Sequence, residues 1–291
     1  MSLVVAMAYA IGLGFGWLAT RKGAFAEFWP VVVRAQMVAA PLMLTITAVW
    51  RLENFDQLLW PAIMVLVLVV MFAYAYSTLH GEQRAAHATL QAMSASPNTG
   101  FFLVPITAAL GGPSALVSAV LVDRLTIPVW SAWIAVLRRG APVAQSRRTS
   151  FVDQAALIAA AMGLLLRLTG PAPQWTATLS LWVAPVLAMS GAATFIGSAL
   201  HPSQRIDPRP GRRRWIALAL LRIVLFAGIY LAAPTPQLRL LALLMALSVP
   251  PFGPPQFATL YGFSDPVLAA GNRMGWFVGV TGVIAAAVIM H

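Results

Sequence analysis

Apolar residues along this chain run on for about twenty positions at a time, separated by short polar links. The ten-residue alternation of a membrane β-barrel strand is missing from these runs. A bilayer core about 30 Å thick takes about twenty helical residues to cross. The pattern predicts an all-α polytopic membrane protein with ten transmembrane helices. They fall at 2–20, 26–50, 57–79, 85–110, 113–138, 151–169, 175–199, 214–233, 237–261 and 265–290. The tightest links are Gly111-Gly112-Pro113 and 262–265, and the longest are 139–150 and 200–213, both rich in Arg and Pro. The first apolar run is followed by Arg21 and Lys22, whereas a signal peptide carries its charges ahead of the run, so it is read as a retained helix.

The two halves of the chain share landmarks. Pro41 of span two and Pro185 of span seven sit in similar apolar contexts, 144 positions apart. Pro105 and Pro250 are 145 apart, and Asp123-Arg124 is echoed by Asn272-Arg273 at a displacement of 149. Residues 1–138 form a first five-helix repeat, 139–150 a cytoplasmic linker and 151–291 a second repeat. Five is an odd number of crossings, so the second repeat inserts upside down relative to the first. This 5+5 inverted repeat is common among secondary transporters.

Composition sharpens the picture. Hydrophobic residues make up 60% and charged residues 9%, far below the quarter or so of charged residues that a soluble surface uses. The net charge of +11 does not point to nucleic acid, because the basic residues lie in short links between spans. Arg21, Lys22, Arg84, Arg138, Arg139, Arg147, Arg148, Arg205, Arg209, Arg212, Arg213 and Arg214 follow the odd-numbered spans, against Arg51, Arg167 and Arg239 on the other side. The positive-inside rule then places both termini outside the cytoplasm, and a multi-pass protein of a bacterial inner membrane is expected. Cysteine is absent, which excludes disulfides, a thiol nucleophile and Cys-based metal sites. No cofactor or metal is expected. A phosphate loop, a His-Glu-x-x-His motif and a nucleophile elbow in fitting context are also missing, so the chain is not read as an enzyme.

Proline removes a backbone donor and clashes with the preceding turn. Pro97 and Pro105 bracket Asn98, Thr99 and Gly100 in mid-span four, and Pro250, Pro251, Gly253, Pro254 and Pro255 crowd span nine. Helices four and nine are therefore expected to break, and their freed backbone groups need protein or a wet cavity. Half-helix N-termini there suit an anion. The candidate substrate residues are Asn98, Thr99, Gly100 and Pro105 with Pro250, Pro251 and Gln256. Asp123, Arg124, Asn272 and Arg273 are candidate coupling or gating residues. Asp123 is either a structural salt bridge, for instance to Arg273 across the repeat axis, or a proton-binding site. It need not pair with Arg124, since neighbouring helical residues point about 100° apart. Arg34 and Arg222 each lie about two turns into their spans, and Arg222 is expected to snorkel to the cytoplasmic face. Gln36 and Gln91 either bridge helices or line the site, and His87 is read as interfacial.

These residues carry a resemblance to the auxin efflux carrier family. It lies in Asn98-Thr99-Gly100-Phe101-Phe102 with Pro105, in Leu121-Val122-Asp123, in Pro250-Pro251, and in Thr259-Leu260-Tyr261-Gly262 with Asp265-Pro266. The resemblance covers nearly the whole chain. It implies helices four and nine crossing at the site, and a scaffold of spans one, two, six and seven beside a mobile transport domain. It further implies a carboxylate substrate and a homodimer. The bile acid and sodium symporter families share the general architecture. Span nine, however, offers Gln256 and no acidic residue, and span four offers Ser94, Ser96, Asn98 and Thr99, which reads against sodium. The expected function is an elevator-type secondary transporter of a small organic anion, with membrane lipid as its other partner. A sodium-coupled carrier and a non-transporting sensor subunit are the alternatives.

Overall fold

A computed structural model describes residues 1–22, 39, 42–77, 95–138, 151–200 and 212–248. Among the described residues every regular element is helical and no strand occurs. The helices are α1 (Ser2–Arg21), α2 (42–50), α3 (Leu59–Ser77, led by a 3-10 turn over Phe55–Leu58) and α4 (Val104–Leu110, led by a wide turn over Thr99–Leu103). They continue as α5 (Gly112–Arg138), α6 (Phe151–Thr169), α7 (Trp175–Leu200), α8 (Arg212–Ala232) and α9 (Pro236–Leu247). Each falls within the correspondingly numbered apolar run or oversteps it by one or two residues. Four stretches, Ser2–Arg21, Phe55–Ala75, Gly112–Trp130 and Trp175–Thr194, are long and apolar enough to cross a bilayer. The expectation of an all-helical transmembrane chain holds at that level. The linker 139–150, the proline-dense part of span nine and span ten lie outside the described residues.

The outer surface is apolar, as lipid contact demands: Leu168 is 84% exposed and Leu231 78%, with Leu3, Leu157 and Val224 also bare. In water such a surface would be an association liability.

Inside, the helices sort into two sets. In the first, α1 lies along α7, where Gly12 and Gly16 let the two backbones touch. A Cβ on Gly16 would sit 2.5 Å from the Ala193 carbonyl oxygen, and one on Gly12 would collide with the Met189 carbonyl. Small residues four apart are the usual means of close helix approach where the hydrophobic effect cannot drive packing. Helix α2 joins this set through a hydrogen bond of 2.9 Å between the Thr47 and Ser180 hydroxyls and through Gly163 of α6, which faces Val49 and the Ile46 carbonyl. Trp50 Nε1 donates to the Gly170 carbonyl at 3.0 Å, tying α2 to the α6–α7 turn. Gly170 has φ +143°, a conformation open to glycine and strained for other residues.

In the second set α3, α5, α8 and α9 pack together. Their core holds Met64, Leu68, Phe226, Leu241, Leu244 and Met245, all fully buried. Phe72 meets Trp130 edge-on with ring centroids 4.9 Å apart. Thr235 starts α9, its Oγ1 accepting the Leu238 N–H, and Pro236 fills the first-turn position where a missing donor costs nothing. Helix α4 and its leading turn lie between the sets, touching α5 and α9 on one side and α1 and α7 on the other.

Candidate functional site

Span four breaks where Pro97 requires it. Ala95 is helical, and Ser96, Pro97 and Asn98 are not. A residue ahead of proline is pushed out of the helical region. Asn98 is extended, at φ −80° and ψ 91°, and its Oδ1 accepts the Phe101 N–H at 3.1 Å, capping the restarted helix. The restart is over-wide: the Leu103 N–H reaches five residues back to the Asn98 carbonyl at 3.0 Å. Such bulges concentrate at functional positions.

Pro105 behaves differently from the expectation that it would bound the break. It is buried in the first turn of α4, and the helix runs through it. Its missing N–H deprives the Phe101 carbonyl of its normal partner four residues on. The Tyr9 hydroxyl of α1 fills the place, donating to that carbonyl at 2.7 Å. Gly191 of α7 lets the turn come close, since a Cβ there would lie 2.6 Å from the Phe101 Cβ. The break is thus anchored to the first helix set from two sides.

The second set supplies the charges. The Thr99 hydroxyl donates to Asp123 Oδ1 at 2.6 Å. Arg124 donates through Nη2 to Asp123 Oδ2. The neighbours on α5 therefore do pair, because the long guanidinium stem closes the angle between them. Gly100 leaves room for this carboxylate: a Cβ would stand 3.3 Å from Asp123 Oδ1. The structure brings Asn98, Thr99, Gly100, Asp123 and Arg124 together. Pro250, Pro251, Gln256, Asn272 and Arg273 lie outside the described residues, as do Arg34, Gln36, His87 and Gln91.

Arg222 corrects the sequence reading. It does not snorkel. It is 3% exposed and donates from Nη1 to the Ser96 carbonyl at 2.9 Å and from Nη2 to the Ser248 carbonyl at 2.8 Å. Helix α8 begins at Arg212, so Arg222 lies ten residues in, about 15 Å from that end and near the middle of a bilayer about 30 Å thick. From there a side chain cannot reach the interface. Ser248 is the residue that ends α9, and its hydroxyl accepts the Asn98 N–H at 2.7 Å. The end of α9 and the break in span four are thereby joined directly and through one guanidinium.

The sequence did not reveal Tyr9. The signal was present in Pro105, whose orphaned carbonyl partner requires a donor from elsewhere. Among the described residues, two guanidinium groups and one carboxylate gather at this region, an excess of positive charge. Among the described residues no three His, Asp or Glu side chains come together. No protein-family model matches the chain, and no curated protein matches it in sequence.

Removing the Tyr9 hydroxyl should cost about 1 kcal/mol, a typical hydrogen bond between membrane helices at the upper part of its range. Restoring the missing N–H with Pro105→Ala gives the carbonyl its own partner. The loss on Tyr9→Phe should then fall below half in that background, as measured by unfolding of the purified variants in a double-mutant cycle. Equal losses in both backgrounds would contradict the proline-compensation role.

Proposed function

We propose that this chain is a secondary transporter that carries a small organic anion, of the carboxylate class, across the inner membrane by an elevator-type movement. The observation that carries the reading is the buried polar break between two helix sets. A helix interrupted in the apolar interior, with Asn98, Thr99, Asp123, Arg124 and Arg222 around it, is costly as mere structure. The excess of guanidinium over carboxylate there favours an anionic ligand.

Packing supports the mechanical part of the proposal. Helices α1, α2, α6 and α7 form the scaffold, and α3, α5, α8 and α9 form the moving body with the break at the seam. On this reading the complete chain is the 5+5 inverted repeat, and the rest of span nine brings Pro250, Pro251 and Gln256 to the same site. The resemblance to the auxin efflux carrier family, with both termini outside the cytoplasm and a homodimer formed through spans two and seven, belongs to the same proposal.

Asp123 is the coupling residue. Among the described residues it is the one buried carboxylate. Its oxygens accept from Thr99 on the break and from Arg124, so protonation would weaken both contacts at once. Transport is then driven by protons, or by the substrate gradient and potential alone, and not by sodium.

Reconstituted protein should take up a labelled mono- or dicarboxylate with saturable kinetics. Linear flux at all concentrations would indicate a channel and sink the carrier reading. Asp123→Asn imitates the protonated carboxyl, so pH-driven accumulation should be lost while exchange of labelled for unlabelled substrate persists. If Asp123 is a structural ion pair only, the variant should lose stability or expression in place of coupling.

A further inference from the structure

A carboxylate has two oxygens, and a guanidinium with a hydroxyl beside it can donate to both. The break in span four carries such a donor pair, and a carboxylate of the chain itself already lies on it. The Thr99 hydroxyl donates to Asp123 Oδ1 at 2.6 Å, and Arg124 Nη2 donates to Asp123 Oδ2. Thr99 and Asp123 are buried, and the Arg124 side chain is 16% exposed. Gly100 presents only backbone beside Oδ1, where a Cβ would stand at 3.3 Å.

The Arg124 contact falls short of what a guanidinium can give. Its fork offers two parallel donors to one carboxylate. Neighbours on a helix point about 100° apart, and here Nη2 alone engages Asp123. Nε is buried with no hydrogen-bond partner among the described residues. A carboxylate that is not tied to the adjacent residue can use both arms. While Asp123 is ionised, such a ligand meets occupied donors and a like charge beside them. Protonation of Asp123 removes both obstacles.

Other charged groups do not take over this part. The elements packed on α5 are the turn over Thr99–Leu103, α3 with its leading turn, α4, α7 and α9. Among the described residues they bring Asp56, exposed ahead of α3, and Arg239, which donates to the Ala233 carbonyl. Tyr74 of α3 is half exposed. None of the three bonds to Asp123, whose partners are Thr99 and Arg124. Arg222 of α8 directs Nη1 and Nη2 to the Ser96 and Ser248 carbonyls.

We propose that Thr99 and Arg124 are the carboxylate-binding donors of this site, and that Asp123 is a resident carboxylate that yields them to an incoming organic anion when it takes up a proton. One proton from the medium binds an Asp123 oxygen as one carboxylate replaces another on Arg124, so the charge of the group is unchanged. Proton and anion then bind one to one, each raising the affinity for the other. The inference deepens the proposed function and rests on its reading of the break as an anion site.

The experiment follows thermal unfolding of purified protein in formate against chloride at matched ionic strength, at about pH 5.5 and about pH 8, where formate is ionised. Formate is the smallest carboxylate, so a site built for a larger one admits it. The wild type should be stabilised saturably at the lower pH, with an affinity about tenfold or more weaker at the higher. Asp123→Asn leaves both donors to the ligand, so it should bind formate equally well at both pH values. The response should vanish in Asp123→Asn/Arg124→Gln and weaken several-fold in Asp123→Asn/Thr99→Val. The proposal is overturned by a wild type whose formate affinity is the same at both pH values, or that never responds. It is equally overturned by an Asp123→Asn protein that stays pH-dependent, or by an Arg124→Gln double variant that still responds. If Asp123→Asn cannot be purified, the wild-type comparison decides alone. Saturable carboxylate uptake that ignores pH and survives Arg124→Gln would remove this inference and leave the transporter. Proton-linked formate binding without any uptake would remove the transporter and leave the inference.

Discussion

Backbone carbonyls released inside a lipid bilayer have no water to turn to. In this protein two carbonyls beside the span-four break, those of Ser96 and Ser248, both accept from one guanidinium. Much else follows from that arrangement. Arg222 must sit at mid-depth in α8 to reach them, which forces a cation into the apolar core beside Phe226 and the α9 leucines. Helices α8 and α9 must pack closely, and α9 must end at Ser248. The span-four break must lie against that end, where the Asn98 N–H finds the Ser248 hydroxyl.

The same bookkeeping explains how the break touches both helix sets without being rigidly fused to either. Toward α5 it is held by the charge-assisted bond from the Thr99 hydroxyl to Asp123, whose other oxygen accepts from Arg124 of the same helix, a contact that is strong and sensitive to protonation. Toward α1 it is held by a single neutral bond from Tyr9 and by the close apolar approach at Gly191. Among the described residues the contacts to α5, α8 and α9 are the more numerous polar ones, so under the proposed elevator movement the break goes with that set. The contacts to α1 and α7 are fewer and neutral, of the kind that can be exchanged as one body slides past another.

Much of the fold was readable because lipid imposes length. The runs at 2–20, 151–169 and 175–199 correspond within a residue or so to Ser2–Arg21, Phe151–Thr169 and Trp175–Leu200. Pro97 announced the break because its chemistry acts locally. Asn98, Thr99 and Asp123 were legible as a group because polar residues are scarce in these spans. What sequence could not supply was partnership. Arg222 was misjudged because depth was counted from a helix start two residues late, and because nothing in the chain names a carbonyl as a guanidinium partner. Tyr9 stayed hidden because its hydrogen bond answers a vacancy 96 positions away, at Pro105. Pro105 itself was taken as a breaker, whereas a proline in the first turn of a restarted helix is tolerated once another side chain meets the orphaned carbonyl.

The central claim is that this buried break faces one side of the membrane and then the other. The chain contains no cysteine, so a single Thr99→Cys reports on the break alone. Sealed vesicles of each orientation, treated with a membrane-impermeant maleimide, measure its access from each face. The expected result is modification from both faces, slowed in both by a saturating concentration of the carboxylate proposed as substrate. A folded Thr99→Cys protein that reacts from one face only, or from neither, would contradict alternating access at this site.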